Sequence, residues 1–171
     1  MTWYGIDDGP PIRVATRPMV EAEGLRLALS EGWEIRIRRG VDEAAGGKAL
    51  PVLHAATIAL PRQRGDFGSG VVETLGIEDA FVSVVEYGEE AVGSALFPVV
   101  NRVPATLLPD DLDPSQLQRA IPGQAGVQRF FTLGDRAFCI YTVVGAFSRR
   151  AFVVPRVRGL LSGLQVQSRS S

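Results

Sequence analysis

The sequence predicts a single α+β domain, in which an antiparallel β-sheet of about five to seven strands carries a C-terminal helix packed on one face. Three observations support this fold class. Apolar and polar residues alternate in several segments, a hairpin pattern covers residues 128–144, and an apolar helical pattern follows over residues 154–164. The length of 171 residues suits one domain, and we find no internal repeat or linker that would divide the chain.

Composition narrows the possible classes of protein. A hydrophobic content of 46% with 22% charged residues is typical of a soluble globular chain. Cys139 is the single cysteine and cannot form an internal disulfide. The first residues do not show the basic segment followed by an apolar segment that marks a secretory signal. We therefore expect a cytoplasmic protein. No apolar run reaches the roughly 18 residues that a membrane span requires, so no membrane partner is predicted.

The chain divides into three parts. Residues 1–20 contain three prolines without clear periodicity and are predicted to form an extended N-terminal arm. Residues 21–168 form the predicted domain, and residues 169–171 are expected to be a frayed tail.

The first strands are predicted from alternation of period two. Residues 25–29 and 33–37 both alternate in this way, which indicates antiparallel strands with one buried face. Their short connection, residues 30–32, predicts that the two strands form a hairpin. Residues 52–60 and 81–87 are predicted as the third and fourth strands.

The middle of the chain is predicted to be irregular, with loops at residues 61–70 and 98–112. Asp113-Pro114 predicts a helix start, because a carboxylate at the cap and proline at the first position both suit a helix N-terminus. Short helical segments are expected at residues 71–75, 89–97 and 115–120.

The last third has the clearest pattern. Residues 128–132 and 136–144 are predicted to form a hairpin whose second strand is apolar on both faces, which places that strand at the centre of the sheet. A helix is predicted next, and it should begin within one turn of Pro155, because proline lacks the amide that is needed deeper in a helix. A short strand is expected at residues 165–168. The apolar residues at helical spacing are Val154, Val157, Leu161 and Leu164.

Two short segments carry a resemblance to a known family. Gly32-Trp33 opens the second strand, and residues 157–166 combine a closing helix with a short strand. In element order over residues 24–168, the chain resembles the PsbP-like α+β sandwich family of accessory proteins, which includes actinobacterial lipoproteins. Members of this family are mostly non-enzymatic, so the resemblance implies a binding or assembly factor and no particular site residue.

Candidate catalytic groups are few. Cys139, His54 and an acid such as Glu86 would suit a cysteine nucleophile with its base. Cys139 and His54, however, lie within apolar strand patterns, where cysteine behaves as a small hydrophobic residue, so we predict buried structural roles for both. No catalytic residue is therefore predicted.

Cofactor and metal motifs are also missing. Residues 65–70 are glycine-rich but lack the lysine of a P-loop and the spacing of a dinucleotide fingerprint, so no nucleotide cofactor is predicted. Asp110, Asp111 and Asp113 lack the spacing of a calcium loop, so no metal is predicted and a turn is expected instead.

The charges of the chain are polarised. Residues 1–113 carry 18 acidic and 10 basic side chains, whereas residues 114–171 carry one acidic side chain, Asp135, and eight arginines. The two halves can neutralise each other in the fold, which we favour narrowly, or the arginines can form a docking face for a partner. A pI near 5.9 argues against nucleic acid. The candidate partner-binding residues are Arg149, Arg150, Arg156 and Arg158, of which Arg156 and Arg158 lie opposite the apolar helix face.

The sequence thus predicts a non-catalytic interaction or assembly module with a protein partner or self-association. The alternative is a small hydrolase or ligand-binding enzyme whose site is built from loops 61–70 and 98–112. A deep pocket lined by His54, Glu86 or Tyr141 would favour this alternative.

Overall fold

A computed structural model describes residues 17–40 and 49–169. This part of the chain contains nine strands and one α-helix. The strands are β1 Met19–Ala22, β2 Leu25–Ala28, β3 Glu34–Arg39, β4 Pro51–Ala56, β5 Ala80–Tyr87, β6 Val99–Val100, β7 Ala125–Leu133, β8 Arg136–Val144 and β9 Gln165–Val166, and the helix is α1 Arg150–Leu161.

The strands form two sheets. The larger has six strands in the order β3-β4-β5-β8-β7-β6, and the smaller has three in the order β1-β2-β9. Neighbouring strands are antiparallel except for β6 and β7, which are parallel. The predicted α+β class and the sheet size are confirmed, while the second sheet was not predicted.

Strand β8 lies inside the larger sheet, paired with β5 on one side and β7 on the other. All nine of its residues are buried, as its two-sided apolar pattern predicts. Phe138 and Ile140 pack on the face covered by α1 and the small sheet. Cys139 and Tyr141 pack on the opposite face, which the chain covers with loops that contribute Val71, Val72 and Leu117.

The helix α1 closes the first of these faces. Val154, Val157, Leu161 and the following Leu164 are all buried there, so the predicted apolar helix face is confirmed. The helix nevertheless begins at Arg150, more than one turn before Pro155, so the predicted start was wrong. Pro155 and Ala151 both lie on the exposed side. The carbonyl of Ala151, which loses its partner amide at Pro155, is therefore on the solvated side of the helix, where the interruption costs least.

The hairpin predicted between residues 25–29 and 33–37 was wrong. Strand β2 pairs with β1 and β9 in the small sheet, whereas β3 pairs with β4 in the large one. The tight turn lies instead between β1 and β2, where Glu23 and Gly24 both have positive φ, at 55° and 74°. Two successive positive φ values match the twist of a two-residue hairpin turn.

The predicted short helices are single 3₁₀ turns, at Val72–Thr74, Glu89–Ala91 and Pro114–Gln116. The side chain of Asp113 accepts a hydrogen bond of 2.8 Å from the amide of Ser115, so the predicted cap is confirmed although the helix after it is not.

The predicted arm and tail lie mostly outside the described residues, which exclude residues 1–16 and 170–171. The boundary placed at residue 20 falls inside β1. Among the residues that the structure describes, no helix is long and apolar enough to cross a membrane.

Candidate functional site

The fold separates the three residues of the candidate catalytic set. Along β5, Val84 faces the side of α1 and Phe81 faces the opposite side, and Glu86 shares the face of Val84 because side chains alternate along a strand. The ring of His54 lies 5.2 Å from that of Phe81, and Cys139 belongs to the same cluster as Phe81. Glu86 therefore lies across the sheet from His54 and Cys139, and the three cannot form a nucleophile, base and acid.

Cys139 is fully buried, as predicted. Burial raises the pKa of its thiol to about 12, because a thiolate would be poorly solvated there. The side chain is therefore a packed apolar group and not an activated nucleophile.

His54 is held in one tautomer by its neighbours. The Nε of Arg64 donates to Nδ1 of His54 at 2.7 Å, so Nδ1 is the acceptor. Nε2 then carries the proton and donates to the backbone carbonyl of Asp66 at 2.8 Å. Asp66 is itself buried and paired with Arg38 at 3.1 Å. These contacts fasten loop 61–70 to the sheet, which is a structural role.

The glycine-rich residues 65–70 pack on the sheet and do not form an open phosphate loop. Gly68 has a φ of 90°, and a Cβ atom there would come within 2.5 Å of the ring of Phe81. Phe67 turns inward, with its ring 5.9 Å from that of Tyr141 in an edge-to-face contact. The nearby cleft lined by Tyr141 has a volume of only 190 Å³.

The loops of the alternative enzyme site lie on opposite faces of the large sheet. Loop 61–70 covers the face that holds Phe81, whereas Leu107 and Leu112 of loop 98–112 pack on the face that holds α1. A groove of 560 Å³ runs between residues 100–106 and the end of α1, and Arg102 is the one charged residue that lines it. The structure therefore does not join the two loops into a shared site.

The acidic residues near position 111 have separate roles. Asp111 pairs with Arg129 at 2.7 Å, Asp113 caps a turn, and Asp110 is exposed. Within residues 17–40 and 49–169, no group of three or more His, Cys, Asp or Glu side chains could hold a metal ion.

Two of the predicted arginines stack on aromatic rings at the start of α1. The guanidinium of Arg150 lies 3.9 Å from the ring centroid of Phe147, and that of Arg149 lies 5.4 Å from the centroid of Phe152. Phe152 is 52% exposed. We call this region the arginine–aromatic surface, defined as Phe147, Arg149, Arg150 and Phe152.

Acidic side chains from the first half of the chain border this surface. Arg149 forms an ion pair with Glu78, and Nη2 of Arg150 lies 3.9 Å from Oδ1 of Asp110. Exposed apolar side chains lie next to these acids in sequence, Ile77 beside Glu78 and Leu108 two residues before Asp110. The surface thus combines apolar area with both signs of charge.

The other two predicted arginines behave differently. Arg156 is half-buried and donates to the backbone carbonyl of Glu78 at 3.0 Å, so it fastens α1 to the loop before β5. Arg158 is exposed, and none of the described residues forms an ion pair with it. Arg149 and Arg156 therefore share Glu78 as a partner, whereas Arg158 takes no part in these contacts.

A second charged region was missed by the sequence reasoning. Arg136 and Glu86 are both buried, and they line a cleft of 410 Å³ together with Arg39, Arg169 and the Glu23–Gly24 turn. We call it the charged cleft. The available signal was Arg136 and Glu86 themselves, two charged residues within otherwise apolar strands.

Arg136 connects four segments of the fold. Its Nε and Nη2 donate to both carboxylate oxygens of Glu86 at 2.9 and 2.8 Å. Its remaining bonds reach the carbonyls of Glu23 and Gln167, both at 3.0 Å. Arg169 adds a further bond to Glu86, at 2.6 Å. The bidentate geometry and the two carbonyl partners satisfy charges that would otherwise be costly to bury.

Comparisons with known proteins do not identify a relative. No family model matches the sequence, and neither the curated proteins nor the solved structures yield a match. The resemblance to PsbP-like proteins therefore stays a prediction.

Proposed function

We propose that the protein is a non-catalytic interaction or assembly module that associates with a second copy of itself through the arginine–aromatic surface. The observation that carries this proposal is the half-exposed Phe152 under the guanidinium of Arg149, beside a second such stack. Cys139 and His54 are buried on one side of the sheet, and Glu86, which lines the charged cleft on the other side, is bonded to two arginines, which favours a binding role over chemistry.

The composition of the surface is that of an interface core. Phenylalanine and arginine are enriched at the buried centres of protein–protein interfaces, because they combine large apolar area with directional polar groups. Clustered exposed aromatic rings also leave apolar area in water, which association would remove. A merely solvated helix face would not require two exposed phenylalanines, 37% and 52% exposed, at the start of one helix.

The charges favour a second copy as the partner. Arg149 and Arg150 already have Glu78 and Asp110 beside them, so the surface has no net surplus of positive charge. A twofold axis brings the same patch of two subunits together and can place arginines opposite the partner's carboxylates. An acidic partner would instead have to displace Glu78 and Asp110.

Phe152→Ser tests this surface. Sedimentation velocity over a wide range of protein concentrations should show dimers for the natural protein. In Phe152→Ser the dissociation constant of the dimer should rise about tenfold or more, the usual effect of removing an aromatic anchor. Leu96→Ser is the matched control, because Leu96 is similarly exposed at 59% but is not part of the surface. A natural protein that stays monomeric at every concentration would refute the proposal.

Salt and the two remaining arginines sharpen the test. High salt should weaken the dimer, because it screens solvent-exposed ion pairs between the arginines of one subunit and the carboxylates of the other. Arg156→Gln should lower thermal stability, since Arg156 fastens α1 to the loop before β5. Arg158→Gln should leave stability unchanged. If this substitution weakens association, the interface extends along α1 to include Arg158. Association that is indifferent to salt and to Phe152→Ser would show that another surface is used.

A further inference from the structure

We propose that the charged cleft is a binding site for a guanidinium group, that Arg169 of the chain occupies it in cis, and that an arginine side chain of a partner protein can take its place. This inference is independent of self-association through the arginine–aromatic surface. It rests on the cation that the cleft already holds, on the charges that remain without it, and on the way in which Glu86 is held.

Arg169 is bound like a ligand at the mouth of the cleft. Its Nη2 donates to Oε1 of Glu86 at 2.6 Å, yet its side chain is 43% exposed while that of Glu86 is 1% exposed. A buried carboxylate is thus reached from outside by a cation on an exposed segment. Such a group can leave without disturbing the core, because its own burial contributes little.

The surroundings attract a cation once Arg169 is removed. The carboxylates of Glu86, Glu89 and Asp135 all favour the charged form of Arg169, and Glu23 lines the same cleft. Two of these carboxylates, Glu23 and Glu86, line the cleft itself, together with the two other guanidiniums of Arg39 and Arg136. The charges that line the cleft therefore balance once Arg169 is removed, and the nearby carboxylates of Glu89 and Asp135 favour a cation at the position of Arg169.

The rest of the site is rigid. Arg136 bonds to both oxygens of Glu86 and to two backbone carbonyls, so the carboxylate keeps its orientation whether or not Arg169 is present. Gly24 makes this arrangement possible, because a Cβ atom there would lie 2.5 Å from Nη1 of Arg136. A site held in position before binding loses little entropy when the ligand arrives.

The last fixed point before Arg169 is Gln167, whose carbonyl accepts a bond from Arg136 at 3.0 Å. Strand β9 pairs with β2 over two residues, and the amide of Gln167 donates to the carbonyl of Gly24 at 2.8 Å. Beyond that point, Arg169 is held by its bond to Glu86 and by its amide, which donates to Asp135 at 3.2 Å. A competing arginine therefore has to replace few bonds, while β9 stays in the sheet.

Chemical complementation of Arg169→Ala tests the site. N-ethylguanidinium should raise the melting temperature of this variant and should not raise that of the natural protein, whose site is occupied. N-ethylammonium should act more weakly, because it cannot reproduce the planar donor geometry of a guanidinium. The double variant Glu86→Gln/Arg169→Ala should bind about tenfold or more weakly, since it lacks the charged acceptor.

Short peptides separate a protein partner from a free small molecule. In calorimetric titrations of Arg169→Ala, a peptide with one central arginine should bind more tightly than N-ethylguanidinium if neighbouring groups of the partner contribute, and peptides with lysine or alanine there should bind less. Equal affinity of peptide and N-ethylguanidinium would overturn the assignment of a protein partner.

The outcome that overturns the site itself is equally direct. If N-ethylguanidinium changes the melting temperature of Arg169→Ala no more than that of the natural protein, the cleft does not recognise guanidinium. Should Arg169→Ala fail to fold, Arg169→Lys keeps the charge, and N-ethylguanidinium should still stabilise it more than it stabilises the natural protein.

Discussion

Replacing Arg136 with methionine should destabilise the protein more than any surface change. Methionine has a similar length and keeps the apolar contact with Phe138, over whose ring the Arg136 guanidinium lies at 5.0 Å. The substitution removes both bonds to Glu86 and the bonds to the carbonyls of Glu23 and Gln167. It therefore leaves a buried carboxylate with one remaining cation, Arg169.

The magnitude follows from that unpaired charge. Removing one partner of a buried ion pair costs about 3–5 kcal/mol, because the other charge stays buried without compensation. Arg169 still reaches Glu86, and the two carbonyls line an open cleft where water can bind them. We therefore expect the lower end, about 3 kcal/mol, which is a large part of the total of about 5–15 kcal/mol for a typical domain.

Urea denaturation at pH 7, followed by tryptophan fluorescence, measures this difference as a shift of the midpoint with an unchanged slope. Arg129→Met is the control, because its pair with Asp111 is about one third exposed and should contribute about 1 kcal/mol or less. The double variant Glu86→Met/Arg136→Met should be more stable than Arg136→Met alone, since it contains no unpaired buried carboxylate.

The reasoning would be refuted by two results. A midpoint of Arg136→Met that equals that of the natural protein would show that the buried pair makes no net contribution to stability. A double variant less stable than the single one would show that the loss comes from the carbonyl bonds and not from the charge of Glu86.

Three further predictions concern the core and one cap. Cys139 should resist thiol reagents at pH 8 until the protein unfolds, because burial raises its pKa to about 12; rapid labelling of the folded protein would contradict this. Leu161→Ala should cost about 2–5 kcal/mol in urea denaturation, whereas Leu108→Ala, at an exposed position, should change stability by about 0.5 kcal/mol or less. The hydrogen bond from the Ser115 amide lowers the pKa of Asp113, so this cap stabilises the fold at neutral pH and its contribution is lost as the pH falls below about 4. Asp113→Asn should therefore show a smaller loss of stability between neutral and acidic pH than the natural protein. An identical loss would show that the Asp113 carboxylate does not contribute to the pH dependence of stability.

Much of the local structure could be predicted from the sequence, because local periodicity reports which side of an element is buried. The two-sided apolar pattern of residues 136–144 correctly placed β8 inside the sheet, and the spacing of Val154, Val157 and Leu161 correctly placed one face of α1 in the core. The burial of Cys139 followed from the same pattern.

The candidate site could be predicted only in part. The arginine-rich sequence around residue 150 identified Arg149 and Arg150, but their stacking on Phe147 and Phe152 depends on a 3₁₀ turn before the helix that the pattern does not show. The half-buried position of Arg156 depends on its hydrogen bond to the backbone carbonyl of Glu78. These two residues are 78 positions apart in the sequence.

The hairpin of β7 and β8 was predicted correctly, whereas the pairing of β2 and β3 and the charged cleft were decided by the tertiary structure alone. Residues 25–37 have the alternation of a hairpin, yet β2 and β3 belong to different sheets, and Leu25 and Leu27 are buried against the face of the large sheet beside α1. Arg136 lies 50 residues and Arg169 lies 83 residues from Glu86 along the chain, and no local period relates the three residues. Alternation along a strand specifies which face is apolar, whereas the choice of neighbour depends on how all such faces are buried together, and that choice exists only in the folded chain.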